Sequence, residues 1–223
     1  AAVFSSLQNK RSEDGEYMKN AMKFSELDQY LFGQGTHYDI YKKLGAHPGV
    51  KRNKAGTYFA VWAPNAKSVS VVGDFNEWDI EAHPMKRLEP MGVYELFIPG
   101  VGVGELYKYY IVTQKGEGLY KADPYANEAE FRPGTASKIV DISEMKWTDA
   151  VWMKNRAAFD VDKDPVIMYE VHPGSWMKHP ATEENPDGFY NYREMAVRLT
   201  EYVKKMGYTH IELMGIAEHP FDG

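Results

Sequence analysis

Hydrophobic period most constrains what this chain can fold into, and it changes once along the sequence. From residue 57 to residue 142 apolar side chains recur at every second position in short runs. TYFAVWA (57–63) sets Phe59, Val61 and Ala63 against Tyr58, Ala60 and Trp62, and SVSVVGD (68–74) follows a Pro64–Asn65 turn. GVYELFIPG (92–100) places Tyr94, Leu96 and Ile98 on one face, and ELYKYYIV (105–112) and SKIVDI (137–142) continue the series. Short alternating runs divided by Gly, Pro, Asn and Asp turns read as an antiparallel β-sandwich.

After residue 164 the pattern differs. PVIMYEVHPGSW (165–176) is a nearly continuous apolar strand, the kind expected when both faces are covered. A polar loop (181–191) leads to a helix that Asn191 caps, with Glu194 completing a capping box. Tyr192, Met195, Ala196, Leu199, Tyr202, Val203 and Met206 form its apolar stripe, and Gly207 suits a left-handed end. THIELMGI (209–216) reads as a second buried strand. Strand, helix, strand is one right-handed βαβ unit of a parallel sheet or barrel. Such a unit leaves sheet edges unpaired and a strand face bare, so the chain is expected to be an incomplete piece of a larger fold.

Four segments result. Residues 1–36 form an N-terminal extension with a short helix ended by Gly33 and Gly35. YDIYKKLGAHPGV (38–50) reads as a turn-rich lead into the sandwich of residues 37–145. Residues 146–164 form a linker anchored by burial of Trp147 and Trp152, and residues 165–223 begin an α/β domain. The expected fold is mainly β: an antiparallel immunoglobulin-like β-sandwich followed by an incomplete α/β, TIM-barrel-type β-α-β unit.

Composition narrows the function. A net charge of −6 argues against non-specific nucleic-acid binding, which relies on neutralising phosphates. No apolar run approaches a membrane span, and nothing at the N-terminus resembles a signal peptide. The absence of cysteine excludes thiolate and disulfide chemistry and is compatible with a cytoplasmic location. Aromatic residues reach 14%, and flat rings stack well on the apolar faces of sugars. The seven histidines show no metal-ligand spacing, so no metal or other cofactor is expected. GVGVGE (100–105) is flanked by strands and followed by no helix, which makes it a hairpin turn and not a phosphate loop.

VVGDFNEWD (71–79), HPM (83–85), LYKYYIV (106–112) and KADPYA (121–126) resemble the family-48 carbohydrate-binding module. More narrowly, LGAHP (44–48), FAVWAPNAKSVSVVGDFNEWD (59–79), MYEVHPGSW (168–176), YREMA (192–196), YVKKMGYTHIELM (202–214) and EHPFDG (218–223) are similar, in order, to bacterial 1,4-α-glucan (glycogen) branching enzymes. Pro173 and Gly215 depart from the family's usual residues. The resemblance implies an α-1,4-glucan or glycogen partner and a transglycosidase that moves α-1,4 segments to 6-hydroxyls. Its catalytic domain is a glycoside hydrolase family 13 (β/α)8 barrel, of which this chain would hold only the first β-α-β.

Retaining transfer needs two carboxylates about 5 Å apart across the scissile bond. The family's lie on later barrel strands, so residues 1–223 hold no catalytic residue and the chain alone is expected to be inactive. The resemblance places glucan contacts at Trp78, Lys108 and Tyr120, where a ring stacks on glucose and an ammonium donates to hydroxyls, unless Trp78 packs at a domain interface instead. Glu218, His219 and Asp222 follow the second strand, at the barrel end where such enzymes work, and are further candidates for glucan contact. Glu170 and Glu212, mid-strand, are expected to be paired structural groups. A non-catalytic glucan-binding or regulatory protein and a debranching-type relative remain alternatives.

Overall fold

The computed structural model describes residues 24–143, 146–160 and 162–217. The chain divides into two compact units, Ala1–Met145 and Lys146–Gly223.

Two antiparallel sheets build the first unit. One runs in the order β1 (Gly45–Lys51), β2 (Lys54–Trp62), β5 (Val93–Pro99), β4 (Lys86–Leu88). The other runs β3 (Ala66–Gly73), β6 (Leu106–Thr113), β9 (Ser137–Lys138), β8 (Glu128–Ala129), with β7 (Gly118–Lys121) paired to β6. Both sheets supply the core: Phe59 and Val61 from β2 and Tyr94 and Ile98 from β5 meet Val69 and Val71 from β3 and Tyr107 and Tyr109 from β6. The alternation read in β2 and β5 is therefore real, but the opposite face of β2 is buried too. Tyr58 and Ala60 pack with Phe24, Leu44 and Val93. Phe32, on helix α1 (Glu26–Gly33), joins them, so residues 24–44 cover that sheet's outer face. Ser25 caps α1 and exchanges hydrogen bonds with Asp28. Burial alone would raise the Asp28 carboxyl. Hydrogen bonds from Ser25, His37 and Lys43 outweigh it and hold the group well below the usual carboxylate range.

Two expectations fail here for identifiable reasons. Gly45, Pro48 and Gly49 belong not to a turn-rich lead but to β1, paired along its length with β2. Proline is tolerated because β1 is an edge strand whose outer amides need no partner. Residues 100–105 are not a hairpin turn: β5 and β6 lie in different sheets, so this segment crosses between the layers.

In the second unit β10 (Met168–Val171) pairs in parallel with β11 (His210–Leu213), and α3 (Tyr192–Met206) connects them. The Asn191 side chain accepts from the amides of Arg193 and Glu194, both at 3.0 Å, and Glu194 accepts from the Asn191 amide at 3.1 Å. Gly207 takes the left-handed conformation, φ +82°. Only Met195, Leu199 and Val203 of the apolar stripe are buried; with Val171 they form the unit's core. Tyr192, Ala196 and Met206 are exposed. Strand β11, expected to be buried, is exposed at all four residues. Among the described residues helix α3 covers this sheet at Tyr169 and Val171, and nothing comparable covers β11. The expected linker contains a short helix, α2 (Ala150–Arg156), and both tryptophans meant to anchor it are exposed, Trp147 at 77% and Trp152 at 60%. Among the described residues no helix is long and apolar enough to cross a membrane.

Candidate functional site

The site in the first unit grows out of strand parity on β6. Its odd residues point inward: Tyr107 and Tyr109 are fully buried, and their hydroxyls donate to the Asp123 carboxylate at 2.7 and 3.0 Å. Burial and the neighbouring carboxylate push both phenols far up, so they stay protonated donors. Burial also raises Asp123, against the lowering effect of the hydrogen bonds it accepts. The Asp123 amide donates to Ser137 Oγ, and its other carboxylate oxygen takes the Tyr125 amide. This buried knot fixes the KADP turn directly after β7.

The even residues of β6 point to the other face. Lys108 stands opposite Val72 of β3, and Tyr110 lies between Ser70 of β3 and Tyr120 of β7. Lys108 and Tyr120 therefore share the outer face of the five-stranded sheet, on neighbouring rungs. The Tyr110 and Tyr120 rings are 5.0 Å apart at 60°. Lys108 Nζ donates to Thr135 Oγ1 at 2.6 Å, tying in the loop between β8 and β9.

Trp78 comes from the GDFN loop. Residues 74–76 form a single 3-10 turn, after which Glu77 and Trp78 both adopt left-handed backbone, φ +52° and +61°. Such non-glycine geometry costs on the order of 1–3 kcal/mol per residue and needs strong local support. Asn76 supplies it: Oδ1 takes the Gly73 amide, and Nδ2 reaches the carbonyls of Val71 and Asp79 and the His83 ring. Trp78 is half-buried, and its indole donates to Asp74 Oδ1 at 2.9 Å. Gly73 is required by close approach, since a Cβ there would strike the Leu106 carbonyl and the Phe75 ring. An inclined ring pair and an ammonium on the sheet's outer face suit a neutral, polyhydroxylated ligand, since rings cover C–H faces and the polar group bonds hydroxyls. Among the described residues Trp78 makes no hydrogen bond or ring contact with Lys108, Tyr110 or Tyr120.

A second concavity of about 400 Å³ lies in the second unit, lined by His172, Pro173, Phe189, Tyr190, Tyr192 and Gly215. It opens where the chain leaves β10 and β11, the end at which parallel barrels place their chemistry. Glu218, His219 and Asp222 fall outside the described residues. Glu170 and Glu212 stand opposite one another in register and are both exposed, so each carboxylate's neighbour across the strands is a like charge. They are not the structural pair expected. Sequence reasoning passed over Tyr110 and His172. Tyr110 could have been found by counting two residues along β6 from Lys108.

The comparisons agree with this picture. Residues 43–126 match carbohydrate-binding module 48 (isoamylase N-terminal domain). The chain is 59% identical over 206 residues to the 1,4-alpha-glucan branching enzyme GlgB of Butyrivibrio fibrisolvens, covering 92% of this chain and 32% of that protein. The GlgB of Synechococcus sp. (strain JA-3-3Ab) is 50% identical over 211 residues, covering 89% and 27%. Among solved structures, the multi-modular glycogen-degrading pneumococcal virulence factor SpuA matches with a TM-score of 0.58 at 23% identity, covering 80% of this chain and 20% of that one. Ligand-free PulA from Klebsiella pneumoniae matches with a TM-score of 0.54 at 20% identity, covering 80% and 18%. At that identity the likeness establishes the fold alone. The chain spans about a third or less of the curated relatives it matches, and within that span it belongs to the 1,4-alpha-glucan branching enzyme family, with a carbohydrate-binding module 48 at residues 43–126.

Proposed function

We propose that the first unit binds α-1,4-glucan through the outer face of its five-stranded sheet, with Tyr120 stacking on glucose and Lys108 donating to hydroxyls. Trp78 is the third contact, presented by its strained loop. The observation that supports this best is the shared outward face of Lys108 and Tyr120, set by the β6–β7 register. The module serves a cytoplasmic 1,4-α-glucan branching enzyme that transfers α-1,4 segments to 6-hydroxyls in glycogen. Residues 165–223 are the start of its catalytic barrel, with Glu218, His219 and Asp222 on the glucan side of that barrel. The nucleophile and the acid/base carboxylates belong to parts of the enzyme outside residues 1–223.

Affinity gel electrophoresis of this chain in glycogen-containing gels tests the binding role. Wild type is expected to be retarded, and Trp78→Ala and Tyr120→Ala each to weaken retardation about fivefold, as loss of one stacked ring would. Equal retardation of wild type and both variants, or none at all for wild type, overturns it.

A further inference from the structure

Tyr110 has a setting that its neighbours do not explain. It alternates outward from the buried Tyr109, and its ring leans across β7 over Gly118, where a Cβ would collide with the Tyr110 hydroxyl and ring. Gly118 has no left-handed backbone, so the absence of a side chain there serves space and not conformation. Among the described residues the Tyr110 hydroxyl has no hydrogen-bond partner. The ring meets Tyr120 at 5.0 Å with a tilt of 60°. Lys108 is two residues away on the same strand and face, about 6.6 Å along the strand.

We infer that Tyr110 is a second glucan-contacting ring: Tyr110 and Tyr120 form one angled platform, kept open by Gly118, that seats successive glucose units of a curved α-1,4 chain. The inference rests on the glucan-binding reading above and goes beyond it by assigning a residue and a shape preference. Two coplanar rings in a row favour a flat β-1,4 chain. Two rings inclined at 60° cannot both lie against a flat ribbon, whereas an α-1,4 chain turns its successive sugar faces and can meet each ring in turn. The Tyr110 hydroxyl adds a donor at the platform's rim.

The test titrates the 223-residue chain with maltoheptaose and, in parallel, with cellohexaose, following the ring resonances of Tyr110 and Tyr120 by NMR. Both rings are expected to shift with maltoheptaose and neither with cellohexaose. Tyr110→Leu, which keeps apolar bulk but no flat face, is expected to weaken maltoheptaose binding about three- to tenfold, and Tyr110→Phe less than twofold. Gly118→Val should imitate Tyr110→Leu by displacing the ring. If wild type binds and Tyr120 shifts while Tyr110 does not, this inference falls and the glucan-binding reading stands. If wild type shows no binding at all, both fall. Equal response to cellohexaose removes the shape preference. Because the ring shifts are read on wild type, a variant that fails to fold leaves the outcome decided.

Discussion

Strand β11 reads as buried in the sequence and β2 as alternating, with one face covered, yet β2 buries six of its nine residues and β11 none of its four. The difference lies in what packs on them. Strand β2 has the second sheet on one face and residues 24–44 on the other, so even its weakly apolar positions, Thr57 and Ala60, are sealed. Strand β11 exposes Ile211 and Leu213 at 38% and 42%. Apolar sequence states a demand for cover; topology decides whether it is met.

The largest test of that contrast is a pair of truncations. Phe59→Ala removes a fully buried ring packed against Phe75 and Tyr107, and is expected to cost about 3–5 kcal/mol. Leu213→Ala removes a partly exposed side chain and is expected to cost about 1 kcal/mol or less. Hydrogen exchange of amides in each unit measures both. Comparable losses would show that β11 is buried in solution and would break the comparison.

Polar burial separates the two units as well. Asp123 accepts two buried phenols, and Asp123→Ala strands both, an expected loss of about 2 kcal/mol or more in the first unit. The pH dependence sharpens the point. Burial raises the folded-state pKa of Asp123, so the folded form holds its proton more tightly than the unfolded chain. Its contribution is greatest below the unfolded value of about 3.9 and declines as pH climbs through the raised one. Asp28 has the opposite sign: its folded pKa is depressed, so its contribution is present above the unfolded value and lost as pH falls. In the second unit the Lys163 ammonium holds the Asp160 carboxyl low, and the Asn191 amide holds Glu194 low. Asp123→Asn should therefore flatten the decline of stability above pH 4 in sandwich amides only. An unchanged profile would sink this account.

Much of this architecture is legible in the sequence. The capping box at Asn191, the left-handed Gly207 and the inward set Tyr94, Leu96 and Ile98 are local or periodic, and local physics governs them. What stayed hidden was partnership. Alternation marks β5 and β6 as strands but cannot say that they join different sheets. Pro48 reads as a breaker because its edge position is a property of the sheet and not of the residue. Trp147 and Trp152 look like anchors, but a large ring is buried only where something closes over it. At the candidate site, Lys108 was legible from its motif. Its shared face with Tyr120 was not, since β7 is four exposed residues with no apolar period.

The smallest effect separates local order from packing in the second unit. Helix α3 has a sound start, but only three of its fifteen residues are buried, so end effects weigh more heavily there than in the sandwich. Asn191→Ala removes the acceptor for the Arg193 and Glu194 amides and is expected to cost about 1 kcal/mol. Helix α1 has the same device at Ser25 and Asp28, but it belongs to a segment packed against the four-stranded sheet through Phe24 and Phe32. Ser25→Ala removes a bond of the same kind from a helix start fixed by those neighbours. Amide exchange at 193–195 should therefore accelerate several-fold in Asn191→Ala, while exchange at 26–28 in Ser25→Ala changes less. Equal acceleration at both ends would mean that packing does not hold α1, and that the two units differ in strand cover alone.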